Sequence, residues 1–404
     1  MAADRGAIGL DAHGAGRHRA VLGRSRLRLA PDHGHLGAGD HPGADRVHHL
    51  PAPDHRRRGA HGREGVTGSC QDAAASDEPA GGSARLIVAG NASVDLLLGP
   101  LAPWPTPGTE VVVERSTWRV GGALGNTALA LAQLGVEARL VWDVGDDMLG
   151  TWLTDRMAAA GDPPRVLEGA TSLTVALNHP GGERTFVSHL GHLAQSEPDA
   201  LANAIETAHT GDLLLVGGSF LLPRWRPALP ALFARARERG VRTALDTGWP
   251  TEGWSAAVRA ELTATLAHAD LFLPNLDEAR GLLDAPHADV DTALAGLAER
   301  VAGRSVVKLG ARGAGLLDAG DQVIESAPAV RVNDTVGAGD TFNALLLSAL
   351  RDGMAVRSAL RCAVHGTSHA LARAPRQLPR WSVLRAELAH TEPDTPASPL
   401  EAAS

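Results

Sequence analysis

The chain carries two cysteines, a single lysine and no apolar run near the ~18 residues that a membrane-spanning helix needs. Cys70 and Cys362 lie far apart, so there is neither a disulfide framework nor a zinc-ligand spacing, and a reducing cytoplasm suits the chain. The N-terminus lacks the apolar segment of a signal peptide, which predicts a soluble protein. Basic charge is short too: a net charge of -8 argues against nucleic acid or an anionic membrane as the main partner. Three common signatures are also missing. There is no Gly-x-x-x-x-Gly-Lys-Ser/Thr loop and no Gly-x-Gly-x-x-Gly after a strand, and Gly217-Gly218-Ser219-Phe220-Leu221 lacks the second glycine of a nucleophile elbow. P-loop enzymes, dinucleotide-binding enzymes and serine hydrolases are thereby set aside.

What is present has the composition of a folded protein, with 44% hydrophobic and 21% charged residues among 404. Residues 1–84 differ. Arg, His, Gly, Ala, Asp and Pro dominate there, phenylalanine is absent, and about half of the 18 histidines fall in this stretch. Such a segment buries too little apolar surface to offset its chain entropy, which predicts disorder, or else a GC-rich leader upstream of the true start codon. His33, His35, His48 and His49 show no regular ligand spacing and are read as non-ligating. Residues 85–391 form the folded domain in this reading, and 392–404 a disordered tail.

Residues 84–90 read as a buried first strand ending at Gly90, and Asp95 follows it where ligands gather in open α/β sheets, beyond the carboxyl ends of strands. The segment 110–120 has β-rich character, and 172–178 and 183–188 alternate like two strands joined by His179-Pro180-Gly181-Gly182. Beyond residue 196, strands near 213–216, 242–245, 271–273 and 305–309 alternate with Ala- and Leu-rich helices, the pattern of a parallel sheet with helices on both faces.

The clearest chemistry lies at 333–350. After Gly339 the apolar residues Phe342, Leu345, Leu346, Ala349 and Leu350 recur at helical spacing, so a helix starts at or just before Asp340. Gly337, Ala338 and Gly339 thus sit at a helix N-terminus, where unpartnered N–H groups and a positive dipole make an anion hole. Asp340 places a carboxylate beside it, and the dipole is expected to keep that group ionised, ready to take a proton from an alcohol being phosphorylated. A similar string, Gly37-Ala38-Gly39-Asp40, runs into His41-Pro42-Gly43 with no helix behind it and is assigned nothing. A second glycine turn, Gly121-Gly122-Ala123-Leu124-Gly125-Asn126, opens a helix that stops at Gly135, and Asn126 offers both donor and acceptor to a hydroxyl. Asp246 faces a sugar or only caps a turn. Asn275 is placed to cap a helix, with Glu278 three residues on. Lys308 is the one position where a compact ammonium is kept in place of arginine.

The string 334–342, Asp-Thr-x-Gly-Ala-Gly-Asp-Thr-Phe, resembles the C-terminal signature of the ribokinase-like (PfkB) carbohydrate kinases, and 121–135 resembles the N-terminal one. The segments at 145–150, 275–278 and 306–315 are similar to further parts of that family. The resemblance implies a three-layer α/β/α fold with a central, mostly parallel sheet and a small β lid near 98–120 and 172–189. It implies ATP-dependent phosphorylation of a primary hydroxyl on a sugar or sugar-like molecule, with magnesium. Asp340 would be the catalytic base, with Gly337, Ala338 and Gly339 as anion hole. Asp95, Gly122, Asn126 and Asp246 would hold the sugar, Lys308, Gly310, Gly313, Asp334 and Thr335 the nucleotide, and Asn275 and Glu278 the metal. A homodimer through the lid is a further implication. Ala123 stands where ribokinases and sugar-phosphate kinases often carry lysine, which disfavours a phosphorylated substrate, and a glycine replaces the ribokinase carboxylate at 213–218, which puts ribose in doubt. A nucleoside or vitamin kinase of this fold, or an inactive sugar-binding regulator, are the competing readings.

Overall fold

A computed structural model of the chain describes residues 84–389, apart from 103, 180–183, 333 and 374–375. The leader, most of the turn after His179 and the C-terminal tail lie outside the described residues. The first half of the described chain contains β1 (Leu86–Gly90), β2 (Ser93–Gly99), β3 (Arg115–Gly121), α1 (Ala123–Leu134), β4 (Ala138–Val141), β5 (Asp143–Gly145), α2 (Met148–Met157), β6 (Arg165–Leu167), β7 (Leu173–Asn178) and β8 (Arg184–His189). Then come α3 (Asp199–Glu206), β9 (Leu213–Gly217), α4 (Leu229–Glu238), β10 (Arg242–Asp246), α5 (Ala256–Leu266), β11 (Leu271–Phe272), α6 (Leu276–Leu283), α7 (Val290–Ala298) and β12 (Arg304–Lys308). The last part holds β13 (Ala314–Asp318), β14 (Asp321–Glu325), α8 (Ala338–Arg351), α9 (Val356–Leu371) and α10 (Trp381–Ala389).

The main sheet has eight strands in the order β14-β13-β12-β11-β10-β9-β1-β4. From β12 to β4 the pairs are parallel, and β13 and β14 add an antiparallel edge. Every residue of β1 and β9 is buried, as a strand covered on both faces requires. Alternation then splits the core in two. Leu86, Val88, Leu213 and Leu215 pack with α1, α8 and α9 on one face. Ile87, Ala89, Leu214 and Val216 pack with α3 to α7 on the other. Each buried leucine contributes about 1.5–3 kcal/mol. This is the three-layer α/β/α arrangement.

The lid is a separate four-stranded sheet, β3-β2-β7-β8. Its first strand begins at Ser93, so Asp95 lies on the lid itself and not in a loop beyond β1. The expected strand from 110 is shorter. Residues 109–113 pair with no strand, Val112 is 90% exposed, and regular pairing begins at Arg115, opposite Gly99. β propensity makes a strand only where a partner supplies the ladder. Among the described residues no helix is long and apolar enough to cross a membrane.

Candidate active site

Gly337 adopts the left-handed conformation (φ 72°) and caps α8 with no side chain over its first N–H groups. A fourteen-residue helix therefore starts without a side-chain cap, but Ala338, expected in the anion hole, already donates its N–H to Thr335 O at 3.0 Å, so the donors offered there are those of Gly337 and Gly339. A Cβ on Gly337 would come within 3.1 Å of Asn126 Cγ and 3.2 Å of Arg376 Nη1, so this glycine is where three segments converge. Asn126 lies in the first turn of α1 and hydrogen-bonds the Asp340 side chain. Asp340 keeps some accessible surface, but protein atoms crowd it otherwise. Burial pushes its carboxyl up to about 7, nearby Asp246 adds to this, and Lys308, Asn126 and Arg376 pull it back only in part. The expectation that the helix dipole keeps Asp340 an ordinary, ionised carboxylate is corrected by this crowding: desolvation outweighs the dipole, and the result is a stronger base.

Behind it, Lys308 at the end of β12 donates to Asp246 Oδ2 at 2.7 Å, and Asn343 Nδ2 on α8 donates to the same oxygen at 2.5 Å. Asp246 thus binds neither a turn nor open solvent. It anchors an ammonium. Burial works against the Lys308 charge, yet Asp246, Glu278 and Asp340 together hold its pKa above the usual lysine value. Expected at the nucleotide, Lys308 lies under the start of α8, its Nζ 3.4 Å from where a Cβ on Gly339 would stand. Asn275 and Glu278 form a capping box on α6: Asn275 Oδ1 accepts from Glu278 N at 2.8 Å, and Glu278 Oε2 accepts from Asn275 N at 2.9 Å. Burial, and then Asp246, push the Glu278 carboxyl upward.

On the lid, Asp95 accepts from Ser93 Oγ at 3.2 Å and faces Arg119 across the β2–β3 ladder. Burial pushes its carboxyl up to about 6 against the opposing pull of Ser93 and Arg119. Gly121 makes the room, since a Cβ there would fall 1.9 Å from Asp95 Oδ1. Gly122 caps α1 with φ 80°, its would-be Cβ 2.5 Å from Asn91 O. Asp334 is taken up by lid arginines, Arg119 at 2.5 Å and Arg184 at 2.7 Å, and Thr335 beside it is exposed. Of the two turn glycines after β12, Gly310 is open, whereas a Cβ on Gly313 would strike Glu325 O at 1.9 Å, a packing requirement of the β13–β14 hairpin.

The fold therefore gathers Asp340, Asn126, Gly337, Gly339, Lys308, Asp246 and Glu278 into one cluster and hangs Asp95 over the same α1 entrance. Sequence reading missed Arg119, Arg184, Arg376 and Asn343. Asn343 had a signal: it is a polar residue three after Asp340 on an otherwise apolar helix face. The arginines had none. Among the described residues no group of three His, Cys, Asp or Glu side chains could hold a metal. The donor set fits a magnesium that arrives with phosphates and keeps its waters, since the capping box engages Glu278 through Oε2.

A family model described as pfkB family carbohydrate kinase matches residues 84–373. The chain is 26% identical over 287 residues to the ribokinase of Bacillus subtilis (strain 168), covering 70% of this chain and 92% of the relative. It is 29% identical over 278 residues to the 1-phosphofructokinase of Rhodobacter capsulatus, covering 66% and 84%. Among solved structures, Arabidopsis thaliana ribokinase complexed with ribose and ATP superimposes with a TM-score of 0.64 at 22% identity, covering 76% of this chain and 99% of that one.

Proposed function

Since the chain belongs to the pfkB family of carbohydrate kinases, an ATP-dependent class of sugar-phosphorylating enzymes, we propose that it transfers the γ-phosphoryl group of ATP to a primary hydroxyl of a sugar or sugar-like small molecule. The observation that carries this reading is Asp340: a crowded carboxylate with its pKa pushed to about 7, at the mouth of a helix whose first N–H groups have no side-chain cap.

In this mechanism Asp95, Gly122 and Asn126 hold the acceptor with one hydroxyl toward Asp340. As the phosphoryl group moves onto that oxygen, the hydroxyl becomes acidic and its proton passes to the Asp340 carboxylate. The bond from the γ-phosphorus to the bridging oxygen breaks, and ADP leaves with that electron pair. The N–H groups of Gly337 and Gly339 meet the phosphoryl oxygens, and Lys308 supports the same charge from below. Gly310 and Thr335 form the nucleotide side, whereas Asp334, expected there too, is engaged by the lid arginines Arg119 and Arg184. Magnesium, when bound, neutralises phosphate charge, and Glu278 with Asn275 would hold it, through water.

The kinase domain is 85–391 in this reading, and the enzyme works in the cytoplasm. The outer side of the lid suits a second copy of the chain. Trp118, Leu96, Val175 and Val187 form one cross-strand row, and Trp118 (46%) and Val187 (56%) stand exposed in it.

The deciding experiment is a screen of sugars and nucleosides for ADP release with magnesium and ATP. Turnover on a sugar is expected. Turnover on nucleosides alone would replace the acceptor class, and no turnover on any acceptor would favour a binding protein without catalysis.

A further inference from the structure

We propose that Asp334 is a positioning residue that couples the seating of the β lid to the anion-binding turn, so that phosphoryl transfer waits for the acceptor. The inference rests on the kinase reading above and deepens it.

One carboxylate joins two structures. Asp334 Oδ2 accepts from Arg119 Nη1 on β3 at 2.5 Å, and Oδ1 accepts from Arg184 Nη2 on β8 at 2.7 Å. These strands are the two outer edges of the lid, so both edges are tied to the same residue. Oδ1 also accepts from the main-chain N–H of Val336 at 3.0 Å, one residue before Gly337. Asp334 thereby shapes the turn that aims the first N–H groups of α8. The rest of that turn is braced by Arg376, whose Nη2 donates to Asp334 O at 3.0 Å and Val336 O at 2.7 Å, and whose Nη1 reaches Thr341 Oγ1 at 3.3 Å. Burial works against the Asp334 charge, but Val336 N–H, Arg119 and Arg184 prevail and hold its pKa down to about 2. Near neutral pH it remains an anion facing arginines, which makes these hydrogen bonds charge-assisted.

Arg119 also touches the acceptor side. It stands directly opposite Asp95 in the β2–β3 register. Its Nε and Nη2 are enclosed, yet neither has a hydrogen-bond partner among the described residues. Enclosed guanidinium donors without partners cost free energy until an acceptor atom meets them. Oxygens of a sugar held at Asp95 are the atoms placed to do so. Sugar binding would then favour the seated lid, the seated lid the Arg119–Asp334 and Arg184–Asp334 pairs, and those pairs the aligned turn. An empty site would leave the anion hole less ordered, which limits transfer of the phosphoryl group to water.

The test compares wild type with Asp334→Asn, Arg119→Gln, Arg184→Gln and the Asp334→Asn/Arg119→Gln double variant. Measured quantities are kcat, KM for acceptor and for ATP, acceptor-free ATP hydrolysis, and melting temperature. Expected for Asp334→Asn is a fall in kcat of at least about tenfold and a smaller ratio of acceptor-stimulated to acceptor-free turnover, with KM for ATP within about twofold of wild type. The double variant should be no worse than the poorer single one, because both remove the same link. If Asp334→Asn does not fold, the two lid variants carry the same expectations. Normal kcat in folded variants, losses that multiply in the double variant, or a rise in the KM for ATP matching that for acceptor would each overturn the coupling. A wild-type protein that phosphorylates no acceptor would instead sink the kinase reading, and this inference with it.

Discussion

Lys308 Nζ lies 2.7 Å from Asp246 Oδ2, and this pair, 14% and 9% exposed at its side chains, stands between Glu278 and Asp340. The only ammonium side chain of the chain therefore offsets three carboxylates around the reacting centre. Removing one member of such an enclosed pair is costly, because the other is left charged and unpaired.

Lys308→Met should lower stability by about 3–5 kcal/mol and leave Asp340 without its nearest compensating cation. The Asp340 pKa should then rise further, so the acidic limb of kcat/KM moves to higher pH. Lys308→Arg keeps the charge but brings a planar, larger head beneath Gly339, and should recover stability better than turnover. Thermal melts and pH–rate profiles of both variants check this. A Lys308→Met protein with the wild-type profile would remove Lys308 from the charge balance.

Asp340 itself fixes the expected pH dependence. Its folded pKa, raised from 3.8 to about 7, means that the base is protonated in acid. kcat/KM should therefore fall about tenfold per pH unit below about 7 and level off above it. Linkage runs the other way. Because the folded value is raised, this residue's contribution to stability is fully present below 3.8 and is lost as pH rises through about 7. Asp340→Asn should thus melt at or above the wild-type temperature at pH 8, while turnover drops by at least about 10²-fold. Near-normal turnover in the folded variant would end the assignment of Asp340 as base.

Asp95→Ala and Asn126→Ala should weaken use of the acceptor more than use of ATP. Each removes hydrogen bonds worth about 0.5–3 kcal/mol to acceptor hydroxyls, a factor of about 2–150 in KM or kcat/KM. Varying each substrate separately in steady state separates the effects. Equal losses toward both substrates would place these side chains away from the acceptor. Asn126→Ala should also raise the Asp340 pKa, since Asn126 hydrogen-bonds and stabilises its ionised form.

By itself the sequence determined whatever depends on neighbours along the chain. The buried run at β1, the glycines at the start of α8 and the stop of α1 at Gly135 follow from helix termini and apolar period, and each was legible. Tertiary structure decided what depends on distance and desolvation. Arg119 and Arg184 meet Asp334 from 215 and 150 residues away, and no local pattern marks an arginine for such a partner. Val111 to Val113 carried β propensity but found no ladder, whereas Val94 to Leu97, to which the sequence assigned no strand, pair with both β3 and β7. The proton affinity of Asp340 belongs to the same class. A helix dipole is visible in sequence and predicts an acidic carboxylate, but how tightly α1, β12 and the Asp246 carboxylate enclose it is a property of the packed molecule, and that enclosure prevails.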